Sequence, residues 1–205
     1  MNFAEYTEGV LRTAGNAFPN SWQTHVPAKL YQVTHALVGL TTELGELREL
    51  LVPSSLNFGS LNFVSWREEL GDAWWYAALL AYHLNDGDMN HQYAIRDKPI
   101  EPEANDYKNY LRRALDNLNI IVAAGMDVVK RKIYYNAPDT DAKSQWSLID
   151  VGAIIMYLDT IQWPMETNNV WEVNLAKLRK RFPHKFSLEE ALNRDLTAER
   201  KILET

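Results

Sequence analysis

The chain has 205 residues, 46% hydrophobic and 23% charged, with a formal net charge of −6 and no cysteine. That length buries a sizeable core as one domain or two small ones, and the lack of cysteine excludes disulfides and thiolate zinc sites. The acidic balance argues against general nucleic-acid binding. With no signal-peptide pattern and no apolar run of about 18 residues, a cytoplasmic, non-membrane protein acting on a small molecule is expected.

Helical periodicity dominates and alternating segments are scarce, which predicts an all-α fold in a single domain over 1–205. Helices are expected near 3–14, 27–52, 64–84, 105–135, 144–162, 167–181 and 187–203, with breaks at Pro19, Pro53, Pro138, Pro164 and Pro183. On the second helix, Leu37, Leu40, Leu44, Leu47 and Leu51 form a core stripe at helical spacing. Beside it run His35, Gly39, Glu43, Glu46 and Leu50, and Gly39 leaves room for another group to come close. The 53–65 connection repeats Ser-Leu-Asn-Phe at 55 and 60; ordinary loop packing is favoured there over a lid.

The third helix has Trp66, Leu70, Ala73, Ala77 and Leu84 as its core stripe, flanked by Glu69, Asp72, Tyr76 and His83. From Ala73 onward it is apolar almost all round, the mark of a buried helix. The Asp86–Asn90 stretch lacks the glycine and closing glutamate of a calcium loop. Later helices supply cations: Lys130 and Lys132, then Asn174, Lys177 and Arg181 in line beside an apolar stripe of Trp171, Leu175, Leu178 and Phe182.

A shift of 78 residues aligns Ala36 with Ala114, Leu37 with Leu115, Leu40 with Leu118, Leu70 with Leu148, Asp72 with Asp150 and Leu80 with Leu158. The halves, about 30–84 and 108–162, then read as tandem degenerate repeats of a four-helix core. Glu43 meets Ile121, Glu46 meets Ala124 and Glu69 meets Ser147, so the second half keeps the packing positions without the acids.

The chemistry rests on Glu43-x-x-Glu46 and Glu69-x-x-Asp72. Residues three apart share a helix face, so two facing helices would gather four carboxylates. At about 6 Å and an effective dielectric near 20, each ionised pair repels by roughly 3 kcal/mol. A divalent cation removes that repulsion, and oxygen-only ligands suit Mg²⁺ or Mn²⁺. Solvated acids are the competing reading, and the preferred one for Glu49 and Glu68. An Asn/Lys/Arg stripe flanking the core suits a polyphosphate.

These residues resemble the all-α nucleoside triphosphate pyrophosphohydrolases, the MazG-like proteins related to dimeric dUTPases. The family pattern is Glu-Glu-x-x-Glu, a spacer, then Glu-x-x-Asp. Here Thr42-Glu43-Leu-Gly-Glu46 and Glu69-Leu-Gly-Asp72 match it, with Thr42 in place of the first acid, and Asn174 to Pro183 matches a closing Asn-x-x-Lys-Leu-x-x-Arg-Phe-Pro. The resemblance covers about 5–84 and 106–186. It implies Mg²⁺-dependent cleavage of an NTP or dNTP to the monophosphate and pyrophosphate. Glu43, Glu46, Glu69 and Asp72 would hold the metal, with Glu46 also the candidate for positioning or deprotonating water. Lys177, Arg181, Asn174 and Lys130 would contact phosphates, and His35 is a further substrate candidate. Trp22, Trp74 and Tyr76 are aromatic enough to stack on a base, though core packing is their default role.

Two rivals differ in class. A di-iron bundle needs Glu-x-x-His pairs, and the acid-bearing helices have none. A non-catalytic helical interaction protein on the same scaffold is the alternative function. A homodimer stays open, since a duplication replaces a dimer or builds on one.

Overall fold

A computed structural model of the chain describes residues 1–14, 27–52, 61–85, 87, 107–138, 148–162 and 167–204. Every regular element among them is helical: α1 Phe3–Thr13, α2 Ala28–Leu50, α3 Phe63–Leu84, α4 Tyr107–Tyr135, α5 Leu148–Gln162, α6 Thr167–Arg181, α7 Leu188–Leu192 and α8 Leu196–Leu203. No helix among the described residues is long and apolar enough to cross a membrane. The breaks at Pro19, Pro53 and Pro164, residues 53–60 of the repeated Ser-Leu-Asn-Phe loop, the Asp86–Asn90 stretch apart from Gly87, and Trp22 lie outside the described residues.

The helix starts are written locally. Asn2 and Glu5 form a reciprocal capping box on α1, at 2.8 and 2.9 Å, satisfying two end donors at once. Asn62 caps α3 through Ser65 N–H. Helix α4 stops where Asn136 takes φ 48°, a left-handed conformation that asparagine tolerates better than most residues.

Helix α3 is central because it is apolar on nearly every side. Ala73, Trp74, Ala77, Ala78, Leu79 and Leu80 are all fully buried, enclosed by α2, α5, α1 and α6. Helix α2 packs on α3 and α4, while α5 packs on α3 and α4 from the other side, closing a four-helix core. The stripe of Leu37, Leu40, Leu44, Leu47 and Leu51 is buried in it as expected. Indole N–H groups tie neighbours to α3: Trp66 donates to the Ile161 carbonyl at 3.2 Å and Trp75 to the Thr13 hydroxyl at 2.9 Å. Arg112 donates to the Leu51 carbonyl and Arg48 pairs with Asp116, joining α4 to α2.

One expected helix is two. Over 187–203 the chain breaks at Asn193–Asp195. Ser187 caps α7 through Glu190 N–H, and Asp195 caps a fresh start through Ala198 N–H. Asp195 thus satisfies the end of α8 where periodicity alone reads straight through. The break turns α8 back onto α6 and α3.

Candidate metal centre

Two close approaches build the site. On α2, Gly39 lies under the Tyr76 ring so tightly that a Cβ would sit 2.1 Å from it. Absence of a side chain there lets α3 press against α2, so the stripes bearing Glu43 and Asp72 meet. On α3, a Cβ at Gly71 would sit 2.9 Å from the Asn174 Cβ, and this second gap admits α6. Carboxylate oxygens of Glu43, Glu69 and Asp72 come within 4.8 Å of one another. Glu46, one turn along α2, is exposed and outside that trio, although its charge is felt by both Glu43 and Glu69.

The electrostatics are unbalanced. Burial first, then the charges of Asp72 and Glu46, push the Glu43 carboxyl up to about 8; Lys177 and a Thr42 hydrogen bond pull the other way. Burial, then Glu46, Asp72, Glu68 and Glu43, carry Glu69 to about 8 as well. Without a cation the two glutamates hold protons around neutrality. Burial, then Glu43, Asp72 and Glu46, push the Tyr76 phenol up to about 12 against the pull of Arg181.

Asp72 is oriented from α6. Asn174 donates to its Oδ1 at 2.7 Å, and the Lys177 ammonium reaches Oδ1 at 2.8 and Oδ2 at 2.6 Å. Lys177 is fully buried while Asp72 is 24% exposed, so this lysine is an internal countercharge on one ligand. Behind Asn174, the buried Tyr6 hydroxyl lies 3.1 Å from its Oδ1 and 3.2 Å from the Gly71 carbonyl, which sets the direction of the amide. Glu68 is not a solvated acid, contrary to expectation: its side chain is 21% exposed, 3.8 Å from Lys177 and 3.7 Å from Arg200. Helix packing brings both cations over it. Glu49 is exposed as expected.

A cavity of about 390 Å³ opens beside the acids, with Glu43 and Asp72 on its wall. Tyr31, His35, Trp75, Tyr76, Phe182 and Phe186 make it aromatic, and Arg181 and Arg194 bring positive charge to the same wall. His35 meets Trp75 and Tyr76 edge-on at 6.0 and 5.6 Å, and burial lowers its pKa. Trp74 is fully buried and packs on Trp171, in keeping with a core role. Arg181 reaches the cavity while its Nε and Nη2 donate to Glu199 at 2.9 and 2.6 Å. Burial pushes the Glu199 carboxyl up, yet the Arg181 and Arg194 hydrogen bonds outweigh it and hold Glu199 at about 2.

Of the sequence candidates, Glu43, Glu69, Asp72, Asn174 and Lys177 form one contiguous cluster, and His35 and Arg181 border it. Lys130 does not join them. It pairs with Asp127 on its own helix and is not part of the cavity wall.

Arg194, Glu199 and Tyr6 had no signal in the sequence. Glu199 sits in a charged run that reads as a solvated helix face, and only the turn before α8 brings it to Arg181. Tyr6 reaches the site across 168 residues of sequence. The trio of carboxylates fits a divalent cation through its all-oxygen donors and its spacing. Comparisons of the chain with family models, with characterised proteins and with solved structures give no match.

Proposed function

We propose that this protein is a Mg²⁺-dependent nucleoside triphosphate pyrophosphohydrolase of MazG-like type, converting an NTP or dNTP to the monophosphate and pyrophosphate. The observation that carries this reading is the convergence of Glu43, Glu69 and Asp72, two of which, Glu43 and Asp72, line a cavity that Arg181 and Arg194 also line. The order and spacing of the two acid pairs and of the Asn174–Pro183 segment supply the reaction class, by resemblance alone.

In this reading Glu43, Glu69 and Asp72 hold the cation, Mg²⁺ or Mn²⁺, and Glu46 completes the acidic rim. A divalent cation there supplies a Lewis acid that offsets phosphate charge and acidifies bound water. Asn174 and Lys177 orient Asp72, a task that takes precedence over the phosphate contacts expected of them. Glu46, exposed to solvent and one turn from Glu43, is the residue proposed to accept a proton from an attacking water. Arg181 faces the charge that grows on the phosphoryl oxygens.

We also read α2–α3 and α4–α5 as diverged copies that retain one composite site. The aligned pairs Leu37/Leu115, Leu40/Leu118 and Leu80/Leu158 are all fully buried, which supports the reading. A superposition of the two helix pairs in any register other than 78 residues would sink it.

One contact favours the second function. Lys177 already neutralises Asp72 from within, as it would in a non-catalytic helical interaction protein that uses the cluster only to join α6 to α3. Incubation with each common NTP and dNTP plus Mg²⁺ separates the two. Equimolar pyrophosphate and monophosphate are expected from at least one nucleotide; no product from any of them, by folded protein, leaves the non-catalytic reading.

A further inference from the structure

Outside the segments that resemble the pyrophosphohydrolases, one charged group is arranged toward the cavity. Glu199, on α8, is buried to 3% and carries two guanidiniums: Arg181 from α6 through Nε and Nη2, and Arg194 from the turn before α8 through Nη2 at 2.8 Å. One carboxylate against two guanidiniums leaves a net positive charge. Both arginines are on the cavity wall. Arg181 keeps Nη1, and Arg194 keeps Nε and Nη1, without a further hydrogen-bond partner among the described residues. Arg194 is 37% exposed, so its free edge is open to a ligand while its other edge is fixed.

A pair built only to fasten α8 would need one arginine. The second adds a positive charge beyond what Glu199 answers, on a cavity wall that also carries Glu43 and Asp72. A polyphosphate carrying a divalent cation has the complementary shape: metal at the carboxylates, remaining phosphoryl oxygens outward. Guanidinium N–H forks match such oxygens in pairs.

We propose that Arg194, held with Arg181 by Glu199, is a second polyphosphate-binding arginine, and that the α7–α8 turn exists to present it. This rests on the metal-site reading, and the test keeps the two apart. Mn²⁺ binding is followed by electron paramagnetic resonance, and binding of the Mn²⁺–tripolyphosphate complex by calorimetry, in the wild type, Arg194→Gln, Arg194→Lys and the exposed control Lys180→Gln. Arg194→Gln is expected to bind Mn²⁺ as the wild type does and to lose about ten- to a hundredfold in tripolyphosphate affinity, the scale of a charge-assisted hydrogen bond. Arg194→Lys recovers part of that loss, and Lys180→Gln changes affinity less than about twofold, as a solvated charge should.

Unchanged tripolyphosphate affinity in Arg194→Gln overturns the Arg194 role and leaves the metal site standing. Failure of the folded wild type to bind Mn²⁺ overturns the metal site instead, and Arg194→Gln is then compared with wild type on metal-free tripolyphosphate, where equal affinity overturns the arginine role too. If Arg194→Gln does not fold, Arg194→Lys decides: affinity equal to wild type shows that point charge suffices and removes the guanidinium fork.

Discussion

The α2–α3 and α4–α5 pairs bury matching leucines yet treat their charges in opposite ways. On α4, Asp127 is answered within its own helix by Lys130 and Arg131, both on the neighbouring turn. On α2 and α3, carboxylates of Glu43, Glu69 and Asp72 crowd within 4.8 Å, and the buried Lys177 pairs with Asp72 of the three. The difference teaches that acid count does not mark a site. What sets this group apart is that packing has gathered acids from two helices and partly buried them beside an open cavity, which holds two of them well above the usual carboxylate range.

The contrast is broken most severely by removing one of the proposed metal ligands from the α2–α3 side. Glu69→Gln or Asp72→Asn is expected to lower pyrophosphate release by more than about 100-fold, beyond what loss of an outer partner costs a metal site. Retention of activity in both would end the assignment.

Next in size is Lys177→Met. Removing the ammonium leaves Asp72 with Asn174 alone, and unpairing a buried charge costs about 3 kcal/mol in comparable cases, less here by whatever water reaches Asp72. Urea unfolding measures it, and a midpoint equal to wild type would mean that the lysine is no countercharge.

A pH series sharpens the comparison. Glu43 and Glu69 sit near 8 when folded, against the usual 4.5, so the folded state binds their protons more tightly than the unfolded chain does. Their contribution to stability is complete below about pH 4.5 and is lost as pH rises through 8. Metal-free protein should therefore melt progressively lower from pH 5 to pH 9, and Glu69→Gln should flatten that slope. Glu199 works in the other direction: held at about 2, it stabilises above pH 4.5 and ceases to as pH falls through 2. A melting temperature independent of pH across 5–9, in metal-free wild type, would contradict the account of the trio.

The smallest effect belongs to the balanced side. Lys130→Ala removes an exposed pair within one helix and should move the melting temperature by less than about 2 °C. A larger shift would show that α4 carries a charge arrangement of its own.

Sequence periodicity was a good guide to whatever one helix decides alone. The leucine stripe of α2, the buried stretch of α3 and the shared faces of Glu43 with Gly39 and Glu69 with Asp72 follow from 3.6-residue spacing. Gly39 was legible as a point of close approach, and Tyr76 fills it. Relations between helices were not legible. Nothing in the spacing of Lys177 says that it ends buried on Asp72, because that depends on the gap at Gly71. Nor does Arg181 announce Glu199, since a cap at Asp195 reverses the chain between them. Glu68 was misread for the same reason: its partners come from α6 and α8, which its own helix does not reveal.

Titration of metal-free protein with Mn²⁺ at pH 8, repeated on Glu69→Gln, tests the central claim most directly. One saturable site in the wild type, with proton release on binding and no such site in the variant, is the expected result. No saturable binding at millimolar Mn²⁺ by folded wild-type protein, or equal binding by the variant, would contradict it.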